Sequence, residues 1–400
     1  MRIANIYARF KTMSGGPVFL LKLADAVLKQ GHRFDIITRD ISDRCRPYVP
    51  QGVNVILPER GLRNTGSQLI DSALDLLFAS RLSALVPADA DVLCVHSDAA
   101  LPALYAYCHR MKGKLPCVYY CYQPTQFAYN LTWEKARAYA PLGYLIPLIA
   151  PAYRAFDKKS AKCADSIIAF SSAYQNWCKE LYMTDRVFRV APGADGTLVD
   201  QAKPEEARQA YHLDKRPVVL TVNKLVCQKN VDLLIRAMAI VVKSCPDAAA
   251  VIVGDGPEKG RLTALVQKLK LERSVFLIGF LKEWREVCNF YAACDLLVFL
   301  ERDVPFGMTV AEAGNYGKPT VAVASGGTLD TVDDGETGLL VDPVLSVDEI
   351  AQKIVMLLQN DGLRKEMGNK AKIKANACTW ERCGREFCDV MEKTISRKQA

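Results

Sequence analysis

Apolar residues fall along this chain in short continuous runs, separated by segments whose apolar positions recur at helical spacing. The first run is Ile3 to Tyr7. A glycine-containing turn follows, Ser14-Gly15-Gly16-Pro17, and then Phe19, Leu20, Leu23, Ala26 and Val27 share a helical face that ends near Gly31. Phe34 to Thr38 is the next run, so the chain opens strand, helix, strand. Val53 to Leu57, Val92 to Val95, Val118 to Cys121 and Ser166 to Phe170 continue the series. Continuous apolar runs alternating with helical segments predict a parallel sheet covered on both faces.

The second half repeats the style. Val218 to Val222, Ala249 to Val253, Val275 to Ile278, Leu296 to Leu300 and Thr320 to Val323 read as strands, and Asp232 to Val242 and Thr309 to Tyr316 as helices. Between the halves, Ala191 to Pro204 is rich in Gly, Pro and Asp and reads as a linker. The fold class expected is α/β, with two doubly wound domains facing a cleft. Ligands on such sheets bind at the carboxyl ends of the strands.

Composition narrows the class. Of 400 residues, 50% are hydrophobic and 24% charged, which excludes disorder and collagen-like repeats. The start, MRIANIYARFKTMSGG, lacks the apolar run of a signal peptide. The uncharged stretch Ala138 to Tyr153 falls short of the roughly 18–20 residues of a spanning helix, and Pro141, Pro147 and Pro151 interrupt it. A cytoplasmic protein is expected. Its fourteen cysteines include no Cys-x-x-Cys, and His32, His96, His109 and His212 are scattered. Buried free thiols are therefore expected, with no structural zinc.

Charge is uneven: residues 1–200 carry 24 Lys and Arg against 17 Asp and Glu, residues 201–400 carry 28 against 27. A basic first half suits an anionic partner such as a membrane surface or a lipid phosphate, or is simply a solvated surface. The basic residues are dispersed and no recognition motif accompanies them, which argues against nucleic acid. The run Tyr139, Tyr144, Tyr153, Phe156, ending in Lys158-Lys159, is a candidate for peripheral attachment to a membrane face.

Three loops carry candidate chemistry. Gly254-Asp255-Gly256-Pro257-Glu258-Lys259-Gly260 has its third glycine one place late for a dinucleotide fingerprint, and Glu272 precedes the next strand rather than ending it. A tight strand-to-helix turn beside a nucleotide pocket is the better reading. In Phe306-Gly307-Met308-Thr309-Val310-Ala311-Glu312 a helix starts after a strand, so its free N–H groups could take a phosphate and Glu312 two ribose hydroxyls. A plain helix start with a favourably placed Glu reads equally well. Lys224 and Lys229, after the strand Val218 to Val222, could neutralise a diphosphate or be ordinary solvated loop lysines.

Taken in order, these pieces resemble a family. The Gly15-Gly16 loop, Ala164 to Ser171, and Val190-Ala191-Pro192-Gly193-Ala194-Asp195 come first. Lys224-Leu225 with Lys229, the Gly254 turn, Phe276-Leu277-Ile278-Gly279-Phe280 and Pro305 to Ala313 follow. Gly317-Lys318-Pro319, Gly326-Gly327 and Asp334 to Val341 complete the set, which spans essentially the whole chain. It resembles the GT-B glycosyltransferases of family 4. Tyr119-Tyr120-Cys121-Tyr122-Gln123-Pro124 further resembles members that elongate lipid-linked or surface glycans, often mannosyltransferases.

The resemblance implies a retaining hexosyltransferase with no cofactor and no metal, its GDP- or UDP-sugar a co-substrate. It implies an acceptor-binding domain at 1–195, with a C-terminal helix at about 380–400 crossing back, and a donor-binding domain at 205–378. By the same resemblance Glu312 binds ribose, Lys229 and Lys224 meet the diphosphate, and Phe280 and Leu281 flank the base. Gly15 and Gly16 lie near donor phosphate and acceptor, with Gly254, Phe306, Gly307, Met308 and Thr309 in the donor pocket. Two positions depart from the family. Val304 stands where the first Glu of Glu-x7-Glu grips sugar hydroxyls, and Tyr122 stands where His is usual beside the reacting centre. Glu301 and Asp303 are the carboxylates near enough to replace the missing one. The departures also admit a nucleotide-sugar-binding paralogue with weak turnover, or a nucleotide-sugar hydrolase or epimerase.

Overall fold

Strands buried on both faces need apolar side chains at every position, and that is how both sheets of this chain are built. The computed structural model describes residues 1–59, 65, 68–129, 146–194, 196 and 198–399. The chain forms two units: Met1–Ala191 with the segment from Trp380 on, and Pro192–Thr379.

Among the described residues the first unit holds seven strands: β1 (Arg2–Tyr7), β2 (Arg33–Ile37), β3 (Asn54–Ile56), β4 (Val92–His96), β5 (Cys117–Cys121), β6 (Ser166–Ala169) and β7 (Val187–Arg189). They pair in the order β3-β2-β1-β4-β5-β6-β7, all parallel. Alternate residues such as Ala4, Ile6, Leu93, Val95, Tyr119 and Cys121 enter one apolar cluster, which the helices Leu101–His109 and Ser172–Tyr182 help to cover. The helix Gly15–Lys29 packs against the C-terminal helix Trp380–Gln399. A Cβ on Gly384 would lie 2.9 Å from the Ala26 Cβ, so only glycine allows that close approach. At the far end of the C-terminal helix, the Thr394 hydroxyl donates to Ser166 Oγ at 2.8 Å and Lys398 pairs with Asp165 at 2.8 Å.

The second unit holds β8 (Val218–Val222), β9 (Ala249–Val253), β10 (Val275–Gly279), β11 (Leu296–Phe299), β12 (Thr320–Val323) and β13 (Gly338–Val341). Their order is β10-β9-β8-β11-β12-β13, again parallel. The period of two divides its core: Val219, Ala250, Ile252 and Val298 face one apolar cluster, while Val218, Leu220, Val251 and Leu297 face another. β7 and β13 were not among the expected strands. The expected linker contains a short turn of 3₁₀ helix, Val199–Gln201, and runs into the helix Pro204–Ala210. All fourteen cysteines are free; nine are buried and only Cys227 is exposed. Tyr139, Tyr144 and Asp195 lie outside the described residues.

Candidate active site

In the second unit the candidate donor residues gather at the carboxyl ends of β8, β9, β10 and β11. Lys229 ends a single turn of 3₁₀ helix, Cys227–Lys229, and forms an ion pair with Glu301, just past β11. Next to it Asn230 adopts left-handed φ (+51°) and donates from Nδ2 to the Leu300 carbonyl at 2.7 Å. Together they tie the loop after β8 to the end of β11. Lys224 is exposed and has no ion-pair partner among the described residues.

Gly307 has φ +97° and directly precedes the helix Met308–Asn315. The first N–H groups of a helix have no intrahelical acceptor, and no acidic residue occupies this first turn. The site therefore presents donors and a partial positive charge to an anion. Met308 and Thr309 are half-buried there, and Phe306 is buried behind them. Glu312 lies one turn further in. One of its oxygens accepts from the fully buried Tyr291 hydroxyl at 2.7 Å, which fixes the carboxylate's direction.

The glycines after β9 act locally. A Cβ on Gly254 (φ +134°) would sit 1.8 Å from the Asn223 carbonyl oxygen, and one on Gly256 would sit 2.2 Å from that of Leu225. They allow the loop after β9 to lie directly on the loop carrying Lys224, with Leu225 N donating to Asp255 O at 2.9 Å. After β10, Phe280 is 73% exposed, a ring face open for stacking, while Leu281 is half-buried against the apolar cluster.

Val304 requires a correction. Its place in the Glu-x7-Glu motif implies a side chain that faces the donor sugar. It is 4% exposed and belongs to the cluster with Phe299, Val310 and Val332. The cause lies one residue earlier, where Asp303 takes left-handed φ (+51°) and turns the chain inward. Val304 then bridges Gly326, and its carbonyl accepts from Gly327 N at 2.7 Å. Of the two nearby carboxylates, Asp303 is tied to Ser325, whose hydroxyl donates to it at 2.5 Å while its own amide donates back at 3.0 Å. Glu301 holds Lys229.

In the first unit the Gly15-Gly16 turn starts the helix Gly15–Lys29 beside two aromatic rings. A Cβ on Gly16 would lie 2.7 Å from the Tyr7 hydroxyl and 3.5 Å from the Tyr122 ring, so glycine makes room for both; no described residue lies within 4 Å of a Cβ on Gly15. Tyr122 follows β5 and packs against Phe170 at 5.0 Å and Phe19 at 5.3 Å. Its hydroxyl lies 3.1 Å from His96 Nδ1, and His96 Nε2 lies 2.9 Å from Asn5 Oδ1. The Asn5 amide nitrogen donates to Ile3 O and Asp35 O. Its oxygen is therefore the atom facing His96, so the imidazole carries its hydrogen on Nε2 and Tyr122 donates to Nδ1. Burial pushes the His96 pKa down to about 3, keeping it neutral.

The sequence reading did not single out His96-Ser97-Asp98, a polar tripeptide at the end of an apolar strand. Ser97 has φ +65° and ψ 165°, a region that residues with a Cβ rarely adopt. Asp98 is half-buried, loss of solvent raises its pKa, and it accepts from Thr125 at 2.8 Å. Three polar residues directly at a strand's carboxyl end were the available signal.

Two parallel sheets with glycine turns and helix starts at their carboxyl ends define a Rossmann-like protein of the GT-B class. The chain belongs to the family 4, or group 1, glycosyltransferases. Residues 13–196 match Glycosyltransferase Family 4, and residues 202–374 match Glycosyl transferases group 1. Alpha-D-kanosaminyltransferase of Streptomyces kanamyceticus is 30% identical over 190 residues, 47% of this chain and 49% of the relative. The GDP-mannose-dependent alpha-(1-6)-phosphatidylinositol monomannoside mannosyltransferase of Mycolicibacterium smegmatis is 32% identical over 223 residues, 52% and 57% of the two chains. The chain thus spans about half the length of these curated relatives. The crystal structure of Anabaena HepE in complex with UDP and glucose shares the fold at 19% identity, with a TM-score of 0.72 over 98% of this chain and 100% of that one.

Proposed function

We propose that the chain is a retaining glycosyltransferase that moves a hexose of the mannose or glucose type from a GDP- or UDP-sugar to a lipid-linked or surface-glycan acceptor. The second unit takes the donor and the first takes the acceptor. The carrying observation is that the second unit brings a cation, Lys229, and the helix start at Gly307, both suited to an anion, to the strand ends that also carry a Glu312 carboxylate held in place by Tyr291. The names of relatives point the same way, one being GDP-mannose-dependent and one solved as a complex with UDP.

Chemistry in this reading is positioning plus electrostatics. As the glycosidic bond breaks, negative charge grows on the leaving diphosphate, and Lys224, Lys229 and the N–H groups of Gly307, Met308 and Thr309 meet it. The leaving phosphate takes the acceptor proton, so no side chain serves as base. These groups make a metal ion unnecessary. Glu312 holds the ribose, and Phe280 with Leu281 flanks the base.

The reading includes reversible attachment to an anionic membrane on its cytoplasmic face. Its support is the helix Ile146–Ala161, where Leu148 and Ile149 are 77% and 56% exposed, with Arg154, Lys158 and Lys159 further along. No helix among the described residues is long and apolar enough to cross a membrane. The two expected aromatic residues that are described turn inward: the Tyr153 hydroxyl bonds Thr125 at 2.9 Å and Phe156 packs on Tyr105 at 5.4 Å.

Thermal shift with GDP, UDP and their hexose forms tests the donor assignment, since a ligand at 100 times its Kd stabilises by about 2.7 kcal/mol. One nucleotide and its sugar form should raise Tm; no response to any of them removes the assignment.

A further inference from the structure

We infer that Glu301 is the carboxylate that binds the donor sugar's hydroxyls, giving up Lys229 as the nucleoside diphosphate arrives. The inference rests on the donor reading above and names the residue that the family motif does not supply.

Three side chains in the turn after β11 could face a sugar. Val304 is spent in the core, where it offers no hydrogen bond. Asp303 is held by Ser325 through both its carboxylate and its amide, and freeing it would undo the left-handed kink that seats Val304. Glu301 is different. Its side chain is 20% exposed, and Lys229 is its only ion-pair partner among the described residues.

That partner can be exchanged. Both side chains keep about a fifth of their surface open, 22% for Lys229 and 20% for Glu301, so an incoming ligand can reach the pair. A diphosphate carries more charge than a carboxylate and draws the lysine away. The Glu301 carboxylate would then need new donors, and it accepts two hydroxyls well. Neighbouring hydroxyl groups of a hexose match that need. The two events become linked: phosphate capture by Lys229 exposes the acceptor that holds the sugar. Glycine at 326 allows the arrangement, because a Cβ there would sit 2.7 Å from the Val304 carbonyl oxygen and push the turn out of place.

Calorimetric titration of the full chain tests this, with UDP against UDP-glucose and GDP against GDP-mannose, in the wild type, Glu301→Gln and Asp303→Asn. Glu301→Gln should bind the bare nucleotide several-fold more tightly, because Lys229 has lost its competitor. The same variant should lose about tenfold in affinity for the sugar form relative to the bare form, as expected when a charged acceptor is removed. Asp303→Asn should leave that ratio alone. An equal change in both ligands on Glu301→Gln would mean that Glu301 only steadies Lys229 and would overturn the inference. So would a loss of the sugar increment in Asp303→Asn instead. A wild type that binds neither nucleotide would overturn the donor reading itself, an outcome distinct from these.

Discussion

The Tyr122 hydroxyl donates its hydrogen to Nδ1 of a His96 whose other nitrogen is held by Asn5. The orientation follows from the neutrality of the buried imidazole, which has one acceptor nitrogen and turns it to Tyr122. Tyr122 thus keeps its hydrogen pointing inward, and only the oxygen's lone pairs remain for any other partner. Burial also raises its pKa well above the ordinary tyrosine value, so it stays un-ionised at neutral pH. A residue so held keeps its own proton.

The His96 pKa predicts a pH dependence of stability. Unfolded His96 takes up a proton near pH 6.5, but the folded residue takes one only near 3. The contribution is fully present above pH 6.5, and stability falls as the pH drops towards 3, by up to about 1.4 kcal/mol per unit. Asp157 acts in the opposite sense, since its folded pKa is raised to about 6, and its contribution is lost as the pH rises through that value. Comparing denaturant midpoints of the wild type and His96→Gln from pH 3.5 to 7 cancels Asp157. The variant should show the shallower acid loss; parallel curves would mean that His96 is not held neutral.

Lys229→Ala should lower turnover by about 10²–10³, the usual loss when one donor aimed at developing charge is removed. Stability should fall by about 1–3 kcal/mol, short of unfolding, because the variant leaves the mostly buried Glu301 carboxylate without its ion-pair partner. Near-normal turnover would take the diphosphate from Lys229.

Val304→Glu should unfold the second unit rather than change its sugar preference. The side chain belongs to an apolar cluster, and an unpaired charge there costs about 3–5 kcal/mol. A melting curve suffices, and an unchanged Tm would return Val304 to the donor pocket.

Membrane attachment should depend on Leu148 and Ile149. Wild type is expected to float with anionic liposomes at low salt and to dissociate at high salt. Leu148→Ser with Ile149→Ser should fail to float under either condition. Equal flotation of the variant would shift the attachment elsewhere, and salt-insensitive binding would point to insertion rather than charge.

The strand runs were legible because a parallel sheet buried on both faces leaves few polar interruptions, and Val218 to Val222 or Ala249 to Val253 can hardly be anything else. β7 escaped notice because it is three residues long, and its Phe188 and Arg189 are not buried. Motif spacing located the turn after β11 but could not say which way Val304 points. That depends on one backbone angle at Asp303, and a shift of one residue moves a side chain between core and solvent. His96 went unread for a related reason: its partners Asn5 and Tyr122 lie 91 and 26 residues away and meet only because β1, β4 and β5 are neighbours in the sheet.

The most direct test follows a labelled sugar. GDP-[14C]mannose and UDP-[14C]glucose would each be incubated with the protein and a polyprenyl-diphosphate-linked glycan, with a chelator in half the samples. Label from one donor should move to the glycan with the donor's anomeric configuration, at a rate that the chelator leaves unchanged and Lys229→Ala nearly abolishes. An intact donor, label released as free sugar, or a rate that returns only on adding a divalent cation would contradict the account.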